Sequence, residues 1–121
     1  MLDLRTRKQQ RQATKKLPEG AYDSVVVDVH WSDDHEPEKA FEVVYQITDE
    51  NGSAYQHSEI FFNDERNKRT TDFEDYLVKH GIYDLVDFVG KRERLSMGYV
   101  KSLNGREYFN IKAREFVDDA A

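Results

Sequence analysis

The sequence predicts a small all-β domain, a five-stranded Greek-key barrel with one helix between its third and fourth strands. Three observations carry this. Five stretches alternate apolar with polar residues at period two and are rich in Val, Ile, Tyr and Phe, the pattern of half-buried strands. Between the third and fourth of them the period changes to helical spacing. Asn51-Gly52 and Asn104-Gly105 mark hairpin turns joining strand two to three and four to five, because glycine takes the positive φ such turns require.

Leu17-Pro18-Glu19-Gly20 opens the domain. Strand one is expected over 21–31, with Val25, Val27, Val29 and Trp31 on one face and Tyr22, Ser24, Asp28 and His30, with Val26, on the other; Trp31 is read as core. An acidic loop containing Pro37 follows. Strand two spans about 40–48 with Phe41, Val43, Tyr45 and Ile47 facing one way. Strand three spans about 53–62, with Ile60 and Phe62 inward and Tyr55, His57 and Phe61 on the opposite face. Thr71-Asp72-Phe73-Glu74 fits a capping box, Phe73, Tyr76, Leu77 and His80 lie at helical spacing, and Gly81 supplies a stop. Leu85, Phe88 and Val89 are expected to plug the barrel end, with a short second helical turn there. Strand four runs over about 92–101, with Leu95, Met97 and Tyr99 on one face. Strand five runs over about 107–117, with Phe109, Ile111 and Ala113 inward and Tyr108, Asn110, Lys112 and Arg114 outward. Three strands, a helix and two strands is the order of the OB fold. The chain thus divides into a flexible basic arm (1–16), an OB-fold domain (17–117) and a short acidic end (118–121).

A net charge of −6 argues at first against a nucleic-acid partner, but the charge is unevenly placed. Residues 1–16 carry Arg5, Arg7, Lys8, Arg11, Lys15 and Lys16 against Asp3, net +5. Residues 17–90 total −13, residues 91–114 return to +5, and 115–121 add −3. The absence of cysteine removes disulfides, thiolate zinc sites and cysteine nucleophiles, and suits a reducing cytoplasm, the expected location. No apolar run is long enough for a transmembrane helix, and the basic N-terminus lacks the apolar stretch of a secretory signal, so no membrane partner is expected.

Four segments together resemble the OB-fold single-stranded DNA-binding proteins of bacteriophages and conjugative elements. They are Leu17-Pro18-Glu19-Gly20-Ala21-Tyr22, Phe41-Glu42-Val43-Val44-Tyr45-Gln46-Ile47, Asp87-Phe88-Val89-Gly90-Lys91-Arg92, and Asn104-Gly105-Arg106-Glu107-Tyr108-Phe109-Asn110-Ile111. The likeness spans residues 17 to 117. It implies the fold first and, through it, a non-catalytic protein that coats single-stranded DNA. The loop after strand one departs from that family in being acidic.

The residues support the same partner independently. A sequence-tolerant single-strand binder needs cations for phosphates and aromatic faces for bases. Strands four and five interleave both: Arg92, Arg94, Tyr99, Lys101, Arg106, Tyr108, Lys112 and Arg114, to which strand three adds Tyr55, His57 and Phe61. The competing reading makes Tyr99 and Phe61 core and the cations a solvated face. The arm (Arg5, Arg7, Lys8, Arg11, Lys15, Lys16) has three readings: nucleic-acid contact, contact with a neighbouring subunit that links protomers, or a solubilising tail. Single-stranded DNA, or RNA, and self-association are the expected partners. No metal or other cofactor is expected: Asp33-Asp34-His35-Glu36 fits no calcium loop, and the four histidines lack zinc spacing. No phosphate-cradling glycine loop, nucleophile elbow or acid–base pair is present, so no enzymatic activity is expected. The alternatives are a protein-interaction OB module working through the acidic middle, and an oligosaccharide-binding barrel.

Overall fold

The computed structural model describes residues 17–117; the expectations for 1–16 and 118–121 lie outside the described residues. The chain is mostly β. Its elements are β1 (Gly20–Trp31), β2 (Ala40–Thr48), β3 (Ala54–Phe62), helix α1 (Lys68–Lys79), a 3₁₀ turn (Leu85–Phe88), β4 (Arg92–Lys101) and β5 (Glu107–Val117). The five strands form one antiparallel sheet in the order β3-β2-β1-β4-β5. Among the described residues no ladder joins β3 to β5, so the sheet is open.

Both hairpins use the same device. Gly52 N–H donates to the Asp49 carbonyl and Gly105 N–H to that of Ser102, and the glycines take φ of 82° and 83°. Each loop is a turn whose last residue sits in the left-handed region, where only glycine enters without strain.

Two bulges set which residues face inward. In β1, Val26 pairs with Tyr45 and Asp28 with Val44, leaving Val27 as an extra residue. A bulge reverses the alternation beyond it. Tyr22, Ser24 and Val26 are therefore buried before it, while Val27 is 46% exposed. This corrects the expected valine face: Val25 and Val27 do not share the inner side with Val29. In β5, Met97 pairs with Ile111 and Ser96 with Ala113, so Lys112 is the extra residue. Beyond it the inward positions are Arg114 and Phe116, opposite Leu95 and Glu93, and Ala113 is exposed. Arg114 is thus inside, not outside.

Strand β3 is also reversed relative to expectation. Its register places Phe61 opposite Phe41 and His57 opposite Tyr45, and directly opposed residues share a face. Tyr55, His57 and Phe61 therefore line the inner side, Phe61 is buried, and Phe62 is half exposed. The core is aromatic: Phe73 of α1 stacks on Phe61 with centroids 4.2 Å apart, Phe41 stacks on Phe61 at 5.4 Å, and Phe88 meets Phe73 edge-on at 5.7 Å.

The helix starts earlier than the capping box implied. Asn67 is the N-cap, its side chain accepting from Thr70 N–H, and Thr71 lies inside the first turn. Asn outranks Thr as a cap, and a buried Thr70 hydroxyl donating to the Phe62 carbonyl fixes the start. At the far end Ile82 N–H reaches the Leu77 carbonyl and Gly81 N–H that of Val78, with Gly81 at φ 79°, a Schellman close. Leu85 and Phe88 pack on the core, but Val89 is exposed, because Phe88 alone takes the interior position at the end of the 3₁₀ turn.

Replacing Phe73 with Ala should remove about 3–5 kcal/mol of unfolding free energy, the cost of emptying a packed aromatic site. Val86→Ala, on the exposed face of the 3₁₀ turn, should stay within about 0.5 kcal/mol. Urea denaturation of the two variants checks both.

Candidate nucleic-acid interface

The outer side of the β4–β5 ribbon and its hairpin collect five of the eleven predicted residues, Arg92, Arg94, Arg106, Tyr108 and Lys112. Cross-strand pairs place Tyr108 beside Val100, Asn110 beside Gly98 and Glu115 beside Arg94. Tyr108 is 46% exposed; Lys112 is exposed on the same strand and Arg106 in the adjoining hairpin, while Lys101, also exposed, sits opposite Glu107 in the same phase of β4 as Tyr99. None of those three cations makes an ion pair among the described residues. The Lys112 side chain lies across Gly98, where an added Cβ would come within 3.1 Å of its Cε. Arg92 and Arg94 are exposed on the same strand, and Arg94 pairs with Asp23 at 2.9 Å.

The other predicted residues are elsewhere. Phe61 is in the core and presents no face to a ligand. Tyr99, on the inner side, donates from its hydroxyl to the Leu17 carbonyl at 2.5 Å, while its N–H binds Glu19 at 3.1 Å. With the Tyr22 hydroxyl on the Pro18 carbonyl at 2.6 Å, this pins the entry of the chain against the end of the sheet. Tyr55 is half-buried, 3.4 Å from Asp49 through its hydroxyl. His57 is half-buried between Tyr45 and Phe109, and its Nε2 is buried without a hydrogen-bond partner. Burial holds the His57 pKa below its ordinary value, so the ring is neutral at pH 7.

Arg114 sits in a polar cluster that the sequence reading missed. Its side chain is 16% exposed, and its Nη2 lies 2.6 Å from Glu59 on β3. Its Nη1 lies 3.2 Å from Glu93 on β4, whose side chain is fully buried. Tyr45 donates to Glu59 at 2.7 Å and Tyr76 of α1 to Glu93 at 2.7 Å. Arg69 closes the outer side, 3.1 Å from Glu59 and 4.2 Å above the Phe61 ring. Burial opposes the Arg114 charge, yet Tyr45, Glu59 and Glu93 outweigh it and raise its pKa. Burial also pushes the Glu93 carboxyl up, against the pull of Arg114 and Tyr76. One signal for this cluster was in the sequence: Glu93 occupies the same alternation as Leu95, Met97 and Tyr99, a carboxylate at an inward register position.

Trp31 is not core. It lies opposite Phe41 on the inner side and is 47% exposed at the rim of a groove that it shares with Leu77 and Val78 of α1. The outer face of β2–β3 carries Glu42, Gln46, Gln56 and Ser58 and no cation. Among the described residues no group of three or more His, Asp or Glu is arranged to hold a metal, and no helix is long and apolar enough to cross a membrane. Comparisons with protein-family models, with curated proteins and with solved structures gave no match.

Two outcomes are expected. Arg114→Met leaves two buried carboxylates facing each other and should cost about 3–5 kcal/mol, read by urea denaturation. His57 gives a pH signature. The unfolded chain protonates this ring near 6.5 while the folded chain does not, so its contribution is present above that pH and lost as pH falls through the lower folded value. His57→Phe should therefore lose less stability than the parent between pH 7 and 5. His30, whose pKa Asp28 and Glu42 raise, contributes the opposite slope to both proteins and cancels in the comparison.

Proposed function

We propose that the chain is a non-catalytic, sequence-tolerant single-stranded DNA-binding protein, and that the β4–β5 ribbon is its working surface. One observation carries the reading: an exposed tyrosine, Tyr108, on the outer face of the ribbon, with Lys112 outside on the same strand and Arg106 in the adjoining hairpin, neither of which makes an ion pair among the described residues. Stacking on such a ring is open to any base, and the cations supply the phosphate term. The strand order, with a helix between β3 and β4, supports an OB-type barrel, a fold that is commonly partly open. In this proposal β3 and β5 are the two sides of the opening.

The proposal departs from the usual OB arrangement in its location. OB folds commonly bind through the face of strands two and three and the flanking loops. Here that face has no cation and the loop after β1 is acidic, so the bound strand would follow the second hairpin instead. With about three to four phosphates neutralised, log K should fall against log salt with a slope of about −2 to −3, using ~0.7 per phosphate for single strands.

Fluorescence anisotropy of a dT oligonucleotide at two salt concentrations, with duplex of equal length beside it, tests this. Single-strand binding that weakens with salt is expected, with Tyr108→Ala losing about 1–3 kcal/mol and Arg106→Glu with Lys112→Glu abolishing it. No binding at low salt, or binding indifferent to salt, overturns the proposal.

A further inference from the structure

An apolar groove lies away from the ribbon. Where β1 ends against the C-terminal half of α1, a groove of about 370 Å³ opens. Trp31, Phe41, Leu77, Val78, Tyr83 and Leu85 form its walls, and its two charged lining residues, Glu74 and Asp84, are both acidic. Val78 and Tyr83 are 52% and 81% exposed. Asp33, Asp34 and Glu36, all exposed, follow Trp31 in the adjoining loop. Single exposed apolar residues are ordinary, but a cluster of them with a charged rim marks an interaction site. A matching occupant sets apolar side chains next to cations.

The chain contains such a segment. Met1-Leu2-Asp3-Leu4 precedes Arg5, Arg7 and Lys8, whereas the residues after 117 are Asp118-Asp119-Ala120-Ala121. Geometry decides whose groove it meets. The carbonyls of Leu17 and Pro18 are fixed by Tyr99 and Tyr22 at the Gly20 end of β1. The groove is at the Trp31 end, a strand of 12 residues away, or about 35–40 Å. From Leu4 to Leu17 the chain reaches at most about 45 Å when fully extended. A segment turning back to its own groove would have to run taut along the whole molecule, while the groove of a copy placed end to end imposes no such demand.

We infer that the N-terminal segment of one copy seats Leu2 and Leu4 in the Trp31 groove of a second copy, with Arg5, Arg7 and Lys8 against the acidic rim. The interface joins two different surfaces, so it adds copies head to tail, as a ring where the rotation between copies closes and as an open chain where it does not. It does not rest on nucleic-acid binding, and its test uses none.

Trp31 is the single tryptophan, so its emission reports occupancy of the groove. Sedimentation velocity and tryptophan emission of the full chain should change together over one concentration range, the emission moving to the blue as mass rises. Leu4→Asp with Arg5→Glu at one surface, and Val78→Asp at the other, should each raise the dissociation constant about tenfold or more, the loss of one buried aliphatic side chain. Far-ultraviolet circular dichroism checks that each variant is folded. Mixing the two variants restores one intact segment and one intact groove, so heterodimers and nothing larger should form. A monomer at every concentration with unchanged emission overturns the inference. So does a blue-shifted emission that is independent of concentration and lost in the Leu4→Asp, Arg5→Glu variant, which is a chain occupying its own groove. Association that ignores both variants also overturns it.

Discussion

The Arg114 guanidinium is the interaction on which the rest of the architecture depends. The two outer strands of the sheet share no ladder, so their separation is set by side chains. Arg114 on β5 spans to Glu59 on β3 and Glu93 on β4, and Tyr76 brings α1 into the same cluster. In a medium of low polarisability such a cluster must be complete, because each unpaired member costs several kcal/mol. Two carboxylates face two guanidiniums, with Arg69 supplying the second from the rim, so the cluster is balanced in charge. It fixes the helix across the opening and fixes the roll of β5. Once Arg114 is inside, the bulge at Lys112 leaves Tyr108 and Lys112 outside together.

Much of this was legible in the sequence. The limits of β2, β4 and β5, both glycine hairpins and the buried stripe of β2 followed from alternation and turn chemistry. The Phe73–Leu77 face of α1 and its Gly81 stop followed from helical spacing and the freedom of glycine at positive φ. The misassigned faces of β1 and β5 have a common cause. An alternating pattern does not announce one extra residue, and Val25-Val26-Val27 is apolar at every position, so it fits either phase. The bulges therefore misassigned the first half of β1 and the last third of β5, including Arg114. In β3 both phases carry aromatics, and only the register with Phe41 decides between them. The helix start was missed because Asn67 stands in a polar stretch with several competing caps.

The charges of this acidic protein are unevenly placed on its surface. Of the cations on β4 and β5, Arg114 is consumed inside and Arg94 is shared with Asp23. The Trp31 end of the domain, by contrast, is rimmed by carboxylates. Opposed potentials at separate places on one small domain orient an approaching polyanion toward one side and a cationic segment toward another, even when the total is negative.

The bulge at Lys112 also bears on what the edge of β5 can pair with. Among the described residues β3 and β5 each have a strand partner on one side alone, and such an edge is a template for strands of other molecules and a route to fibres. Here that template is spoiled twice. Lys112 breaks the regular spacing of donors and acceptors halfway along β5, and a foreign strand entering between the edges would have to expel Arg114 from its two carboxylates. The ion pairs that hold the fold together thus also act as a gatekeeper against runaway strand addition.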